Sequence, residues 1–156
     1  MVAGTASAAA CPRPPGKEET ITLTTAQIGL IRDSFHRLQP DVETASELLY
    51  QRLFEIAPEL RSMFRSDMAG QGMQFMSTLG LILRHLDDPR ALRPHLEHLA
   101  QGHAAFGVKP EHFRPMGQAL IWAMRETLGE RFPAAAATAW EAAYEILALE
   151  MVQMAE

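Results

Sequence analysis

Apolar residues recur at three- and four-residue intervals in seven successive stretches of this chain, each bounded by proline, glycine or aspartate, and none alternates as a half-buried strand would. That pattern restricts the chain to a packing of amphipathic helices. The first stretch opens at Thr24, where Thr24-Thr25-Ala26-Gln27 has the spacing of a capping box, carries Ile28, Ile31 and Phe35, and ends near Pro40. A second runs from about Asp41 to Glu55 with Ala45, Leu48, Leu49, Leu53 and Phe54 apolar, and it includes Tyr50. Pro58 then opens a short helical turn carrying Leu60, Met63 and Phe64. The segment from Met68 to Leu86 is a long apolar one and reads as the most buried helix, stopped by two aspartates and Pro89. Asp88-Pro89 starts a fifth helix with Leu92, Leu96, Leu99 and His103, which closes before Phe106-Gly107-Val108. Pro110 begins a sixth, through Met116, Leu120, Met124 and Leu128. Gly129 and Pro133 separate it from an Ala-rich last helix with Trp140, Tyr144, Leu147 and Met151. With no internal repeat visible, the expectation is a non-repetitive all-α domain.

Composition narrows what such a domain can do. At 156 residues and 47% hydrophobic, the chain supports one core large enough to enclose a small-molecule cofactor. The net charge of -5, with no cluster of Lys or Arg, argues against nucleic acid or an anionic membrane as a partner. Cys11 is the only cysteine and no Cys/His pairs have zinc-finger spacing, so neither a disulfide framework nor a structural zinc is expected, and a reducing cytoplasm suits the chain. Residues 1–20 are rich in Ala, Pro and small polar types and lack a periodic apolar face, which predicts a flexible tail ahead of a domain over 21–156. Ala8-Ala9-Ala10-Cys11 resembles a lipoprotein cleavage site but lacks the basic start and apolar run of a signal peptide before it. No apolar run approaches the roughly 20 residues that cross a bilayer.

Six histidines occur, and three of them, His95, His98 and His103, fall in one predicted helix. At about 100° per residue His98 lies about 60° to one side of His95 and His103 about 80° to the other, so the three do not converge on one ion. A single imidazole on an apolar helix face is more often a hydrogen-bonded core residue than a ligand, and residue pattern alone leaves both readings open for His103.

Three segments carry more. LLYQRLFEIAPELRSMF (Leu48 to Phe64), DMAGQGMQFM (Asp67 to Met76) and LAQGHAAFGVKPEHF (Leu99 to Phe113) resemble the globins, in particular single-domain bacterial globins related to the haem domain of flavohaemoglobins. The diagnostic order is a tyrosine, a phenylalanine after Pro-Glu-Leu, a glutamine seven residues beyond it, and a histidine followed by Phe-Gly-Val-Lys-Pro, and the likeness covers the chain from about Thr22 to its end.

The resemblance implies a globin fold of seven or so helices around a pocket for b-type haem, with His103 as the proximal iron ligand. Carbonyls one turn earlier, near Leu99 and Ala100, are candidates to accept the other ring N–H. Tyr50 and Gln71 match the family's distal hydrogen-bonding pair, Phe75 the apolar wall one helical turn after Gln71, and Phe64 the aromatic that packs flat on the porphyrin. Leu99, Val108, Phe106 and Phe113 are further cofactor contacts on this reading. Phe113 stands where flavohaemoglobins carry a proximal tyrosine, and Ala155 aligns with their last-helix glutamate, with Glu156 one residue beyond. Loss of that relay favours reversible gas binding over O–O bond chemistry. The leading expectation is therefore reversible binding of O₂, with CO and NO as further ligands. NO dioxygenation with a separate reductase is the enzymatic alternative, since no GxGxxG fingerprint is present, and a haem-based gas sensor is a third.

Overall fold

A computed structural model describes residues 23–64, 68–105 and 107–155. Six α-helices are found among them: α1 (Thr25–Leu38), α2 (Val42–Ile56), α3 (Met68–Arg84), α4 (Pro89–Ala105), α5 (Phe113–Leu128) and α6 (Ala134–Ala155). A 3-10 helix, Pro58–Met63, supplies the seventh expected segment, and single 3-10 turns join α1 to α2 and precede and follow α5. No strand occurs among the described residues. The expected tail over residues 1–20 lies outside them, as do Phe106 and Glu156.

The capping box at Thr24 forms as the sequence predicts, with the Gln27 N–H donating to Thr24 Oγ1 (3.0 Å) and the Thr24 N–H to Gln27 Oε1 (2.8 Å). Asp88 caps α4 in the same way, accepting the Ala91 N–H at 3.3 Å. Pro94 lies inside α4 on its exposed side, where the carbonyl it leaves without a helical partner, that of Arg90, also belongs to an exposed residue.

Helix α3 ends at Arg84 and not at Leu86. Arg32 of α1 explains the difference: its guanidinium donates to the carbonyls of Leu83 and Arg84 and to Asp87 Oδ1, each at 3.0 Å. Carbonyls left over at the helix end are satisfied from another helix, so the chain turns two residues early. The hydrogen bond from the same guanidinium, then a backbone hydrogen bond at Asp87 and then the Arg32 charge, hold the Asp87 carboxyl below its ordinary value.

The core is built where α2 crosses α5, with Leu49, Leu53, Leu120 and Met124 almost fully buried. Helix α6 packs on α1 and α4 through small residues, Ala136, Ala139 and Ala143, beside Trp140. The Trp140 indole N–H donates to Ser34 Oγ (2.7 Å), which in turn reaches the carbonyls of Leu30 and Ile31, so the one strongly polar link in this part of the core is fully paired. Two walls follow from this arrangement. Helix α4 is anchored chiefly on α6, while α3 is anchored on α2. No helix among the described residues is long and apolar enough to cross a membrane.

Candidate functional site

His103 lies in the last turn of α4, half-buried. Its Nδ1 is 2.8 Å from the Leu99 carbonyl oxygen, one helical turn back. A carbonyl can only accept, so Nδ1 is the donor, and in the neutral ring this leaves the lone pair on Nε2, the form in which imidazole binds a metal. Of the two carbonyls left open by the sequence, Leu99 is thus the one used. Helix α4 then closes in a Schellman motif: the Gly107 N–H donates to the Ala104 carbonyl (3.0 Å) and the Val108 N–H to that of His103 (2.9 Å). Gly107 has φ 81°, a conformation that costs a side-chain-bearing residue about 1 kcal/mol or more, so glycine there folds Val108 back beside the histidine turn.

A cleft of about 150 Å³ opens against His103, lined from α4 by Ala100, from the following loop by Val108, and from α5 and α6 by Phe113, Met151 and Val152. The Phe113 ring lies 5.7 Å from the imidazole, tilted by 57°. Apart from the imidazole itself these linings are apolar, and among the described residues no carboxylate joins them. The contribution of Met151 and Val152 was not legible in the sequence, because nothing local links them to a histidine nearly fifty positions earlier.

On the α2–α3 side, none of whose residues lines that cleft, Tyr50 of α2 is only 7% exposed and sits among aromatic rings: Phe64 lies edge-on at 5.1 Å and Phe54 stacks at 6.1 Å. Burial pushes its phenol up to about 12, so it remains a protonated donor at any physiological pH. Its hydroxyl donates to the backbone carbonyl of Gln71 at 3.5 Å, the long limit for such a bond. The Gln71 side-chain Nε2 is buried with no hydrogen-bond partner. A buried amide without a partner costs about 1–3 kcal/mol. Phe75, half-buried one turn along α3, adds an apolar surface on the same helix side. Phe64 follows the 3-10 helix that starts at Pro58, and Leu60 and Ala57 beneath it are buried.

Sequence comparison decides the family. The family profile described as Globin matches residues 47–151, a stretch that takes in Tyr50, Phe64, Gln71 and His103. The chain is a globin. The all-α expectation therefore holds in its specific form, the globin fold, and membership implies a haem cofactor. Among its relatives, this globin is 33% identical over 122 residues to a flavohemoprotein of Chromobacterium violaceum, covering 76% of this chain and 30% of the relative. A flavohemoprotein of Vibrio cholerae is 30% identical over 129 residues (81% and 33%), and one of Halalkalibacterium halodurans is 28% identical over 138 (86% and 34%). The globin spans about a third of the length of these relatives.

No group of three or more His, Cys, Asp or Glu side chains able to hold an ion occurs among the described residues. His95 instead stacks on His85 across the α3–α4 turn, 5.2 Å between ring centres. The sequence reading missed Gly72, which lies next to Gln71 and is buried where α3 meets α2. A glycine inside an apolar helix was the available signal.

Proposed function

We propose that this globin reversibly binds O₂ at a b-type haem held by His103, with Tyr50 and Gln71 donating hydrogen bonds to the gas. The observation that carries this reading is that the Gln71 side-chain amide is buried and unpartnered while the Tyr50 hydroxyl, which reaches the same residue's backbone carbonyl, is held only at 3.5 Å. Both are donors without a strong acceptor of their own, and a diatomic ligand that draws negative charge supplies one, at about 1.5–3 kcal/mol for a charge-assisted bond.

The residues fit the cofactor. When bound, the haem supplies an iron coordination position at which O₂, CO or NO can be held. His103 would ligate through Nε2, oriented by the Leu99 carbonyl. Phe64, Phe75, Val108 and Phe113 would give apolar contact to the porphyrin and the ligand space, with Leu99 contributing through its carbonyl. Because the His103 N–H meets a neutral carbonyl and not a carboxylate, the imidazole gains less basicity than a charged relay would give it. That favours holding the gas over cleaving an O–O bond.

NO dioxygenation with an external reductase is the second reading, favoured by the kinship with proteins whose name joins a flavin to a haem. The deciding experiment reconstitutes the protein with b-type haem and records ferric, reduced, O₂ and CO spectra. A five-coordinate reduced form that converts to stable O₂ and CO complexes supports the proposal. Failure to take up haem, or a reduced form already closed by an internal sixth ligand, refutes it. Multiple turnovers of NO to nitrate with an added reductase would move the assignment to the enzyme.

A further inference from the structure

We infer that Gly72 is a positioning residue for the distal pair, its missing side chain setting the spacing of α2 and α3 at which the Tyr50 hydroxyl and Gln71 serve one ligand. The inference rests on the reading of Tyr50 as a donor to the bound gas.

Gly72 is buried, and a Cβ built on it would overlap Ser46 Oγ and come within 3.2 Å of both Ser46 Cβ and Tyr50 Cε2. Ser46 and Tyr50 lie one helical turn apart on α2, so together they form a surface against which α3 can rest only where it has no side chain. Other helical glycines behave differently. A Cβ at Gly29 or Gly102 would meet nothing within 4 Å, and those at Gly80 and Gly117 would meet the rings of Phe35 and Tyr144, which belong to neither distal residue. Glycine is among the poorest residues for a helix interior, so at position 72 local helix stability is given up for a close crossing.

The consequence for the site is direct. Gln71 and Gly72 share a planar peptide unit, and the carbonyl that receives the Tyr50 hydroxyl belongs to that unit. Any displacement of Gly72 away from Ser46 therefore carries the Gln71 carbonyl with it. The hydroxyl contact already stands at 3.5 Å, so a shift of a few tenths of an ångström is enough to end it. Because the Gln71 side chain moves with its backbone, the same shift changes where that amide stands relative to the Tyr50 hydroxyl, and two donors proposed to serve one small ligand would no longer be held in register.

The test measures O₂ release from the haem-reconstituted protein by stopped flow for the parent, Gly72→Ala, Tyr50→Phe and the two combined, with a crystal structure of Gly72→Ala. Gly72→Ala is expected to speed release about tenfold, and to add less than twofold in the Tyr50→Phe background. In the crystal the Tyr50 hydroxyl stands farther than 3.5 Å from the Gln71 carbonyl. Should Gly72→Ala alone fail to fold, Ser46→Ala combined with it removes the overlapping Oγ and leaves contacts of 3.2 Å that small adjustments relieve. That pair is expected to fold and to release O₂ between the parent and Tyr50→Phe rates. An unchanged rate in every folded Gly72→Ala protein, with Tyr50→Phe fast, overturns the inference alone. The same acceleration with or without the Tyr50 hydroxyl also overturns it, since that is general loosening. An unchanged rate in Tyr50→Phe itself overturns the distal reading on which the inference stands.

Discussion

The two walls of the candidate site are finished to different degrees. On the α4 side, the His103 N–H is paired at 2.8 Å, the helix end is closed by two further backbone bonds, and the neighbouring surface is apolar. On the α2–α3 side, Tyr50 has one bond at 3.5 Å and Gln71 a buried amide with none. On the proposed function the α4 wall would hold the iron at Nε2, whereas the α2–α3 wall has a weakly held hydroxyl and an unpartnered amide that a ligand would satisfy. On that reading, a paired histidine together with unpaired donors suits reversible capture of a small polar molecule, because binding would satisfy those donors without disturbing the anchor.

Breaking the finished wall should have the largest effect. His103→Ala removes the ring nitrogen proposed to bind iron, and we expect the reduced spectrum to lose its histidine-ligated character, with haem retained far less well. Retention and spectrum unchanged would place the ligand elsewhere. The unfinished wall is tested next. Tyr50→Phe is expected to accelerate O₂ release by roughly tenfold to a hundredfold, since about 1.4 kcal/mol corresponds to each factor of ten.

Gln71→Leu sharpens the contrast because its two effects have opposite signs. Removing an unpartnered amide should stabilise the haem-free protein by about 1–3 kcal/mol in urea denaturation, while shortening the O₂ complex lifetime. A destabilised haem-free variant would show that the amide is satisfied after all. Gly107→Ala probes the finished wall more gently: the positive φ predicts a loss of about 1 kcal/mol, with the reduced spectrum still five-coordinate.

The smallest effect concerns pH. Burial raises the Tyr50 phenol from an ordinary 10.0 to about 12, so the folded state holds this proton more tightly than the unfolded chain does. The associated stability is fully present below about pH 10 and is lost as pH rises toward 12. Tyr144, buried against Gly117, is raised for the same reason and declines in the same direction. Stability should therefore fall through this alkaline window, and Tyr50→Phe should reduce the fall. A slope identical in the two proteins would contradict a buried, protonated hydroxyl.

What the sequence by itself determined is the part governed by short separations. The helix order, the caps at Thr24 and Asp88, the glycine stop at Gly107 and the histidine one turn from Leu99 all follow from contacts spanning five residues or fewer, which backbone periodicity dictates. The resemblance to globins added Tyr50, Gln71, Phe64 and Phe75 as a set, but not how they meet. The crossing of helices decided the rest. Arg32 ends α3 early from 51 to 55 positions away, and Tyr50 reaches Gln71 across 21. Met151 and Val152 arrive beside His103 from the last helix, and Gly72 matters only because Ser46 and Tyr50 stand opposite it. Whether a buried amide finds a partner depends on which surfaces pack together, and that is a property of the assembled core rather than of any local run of residues.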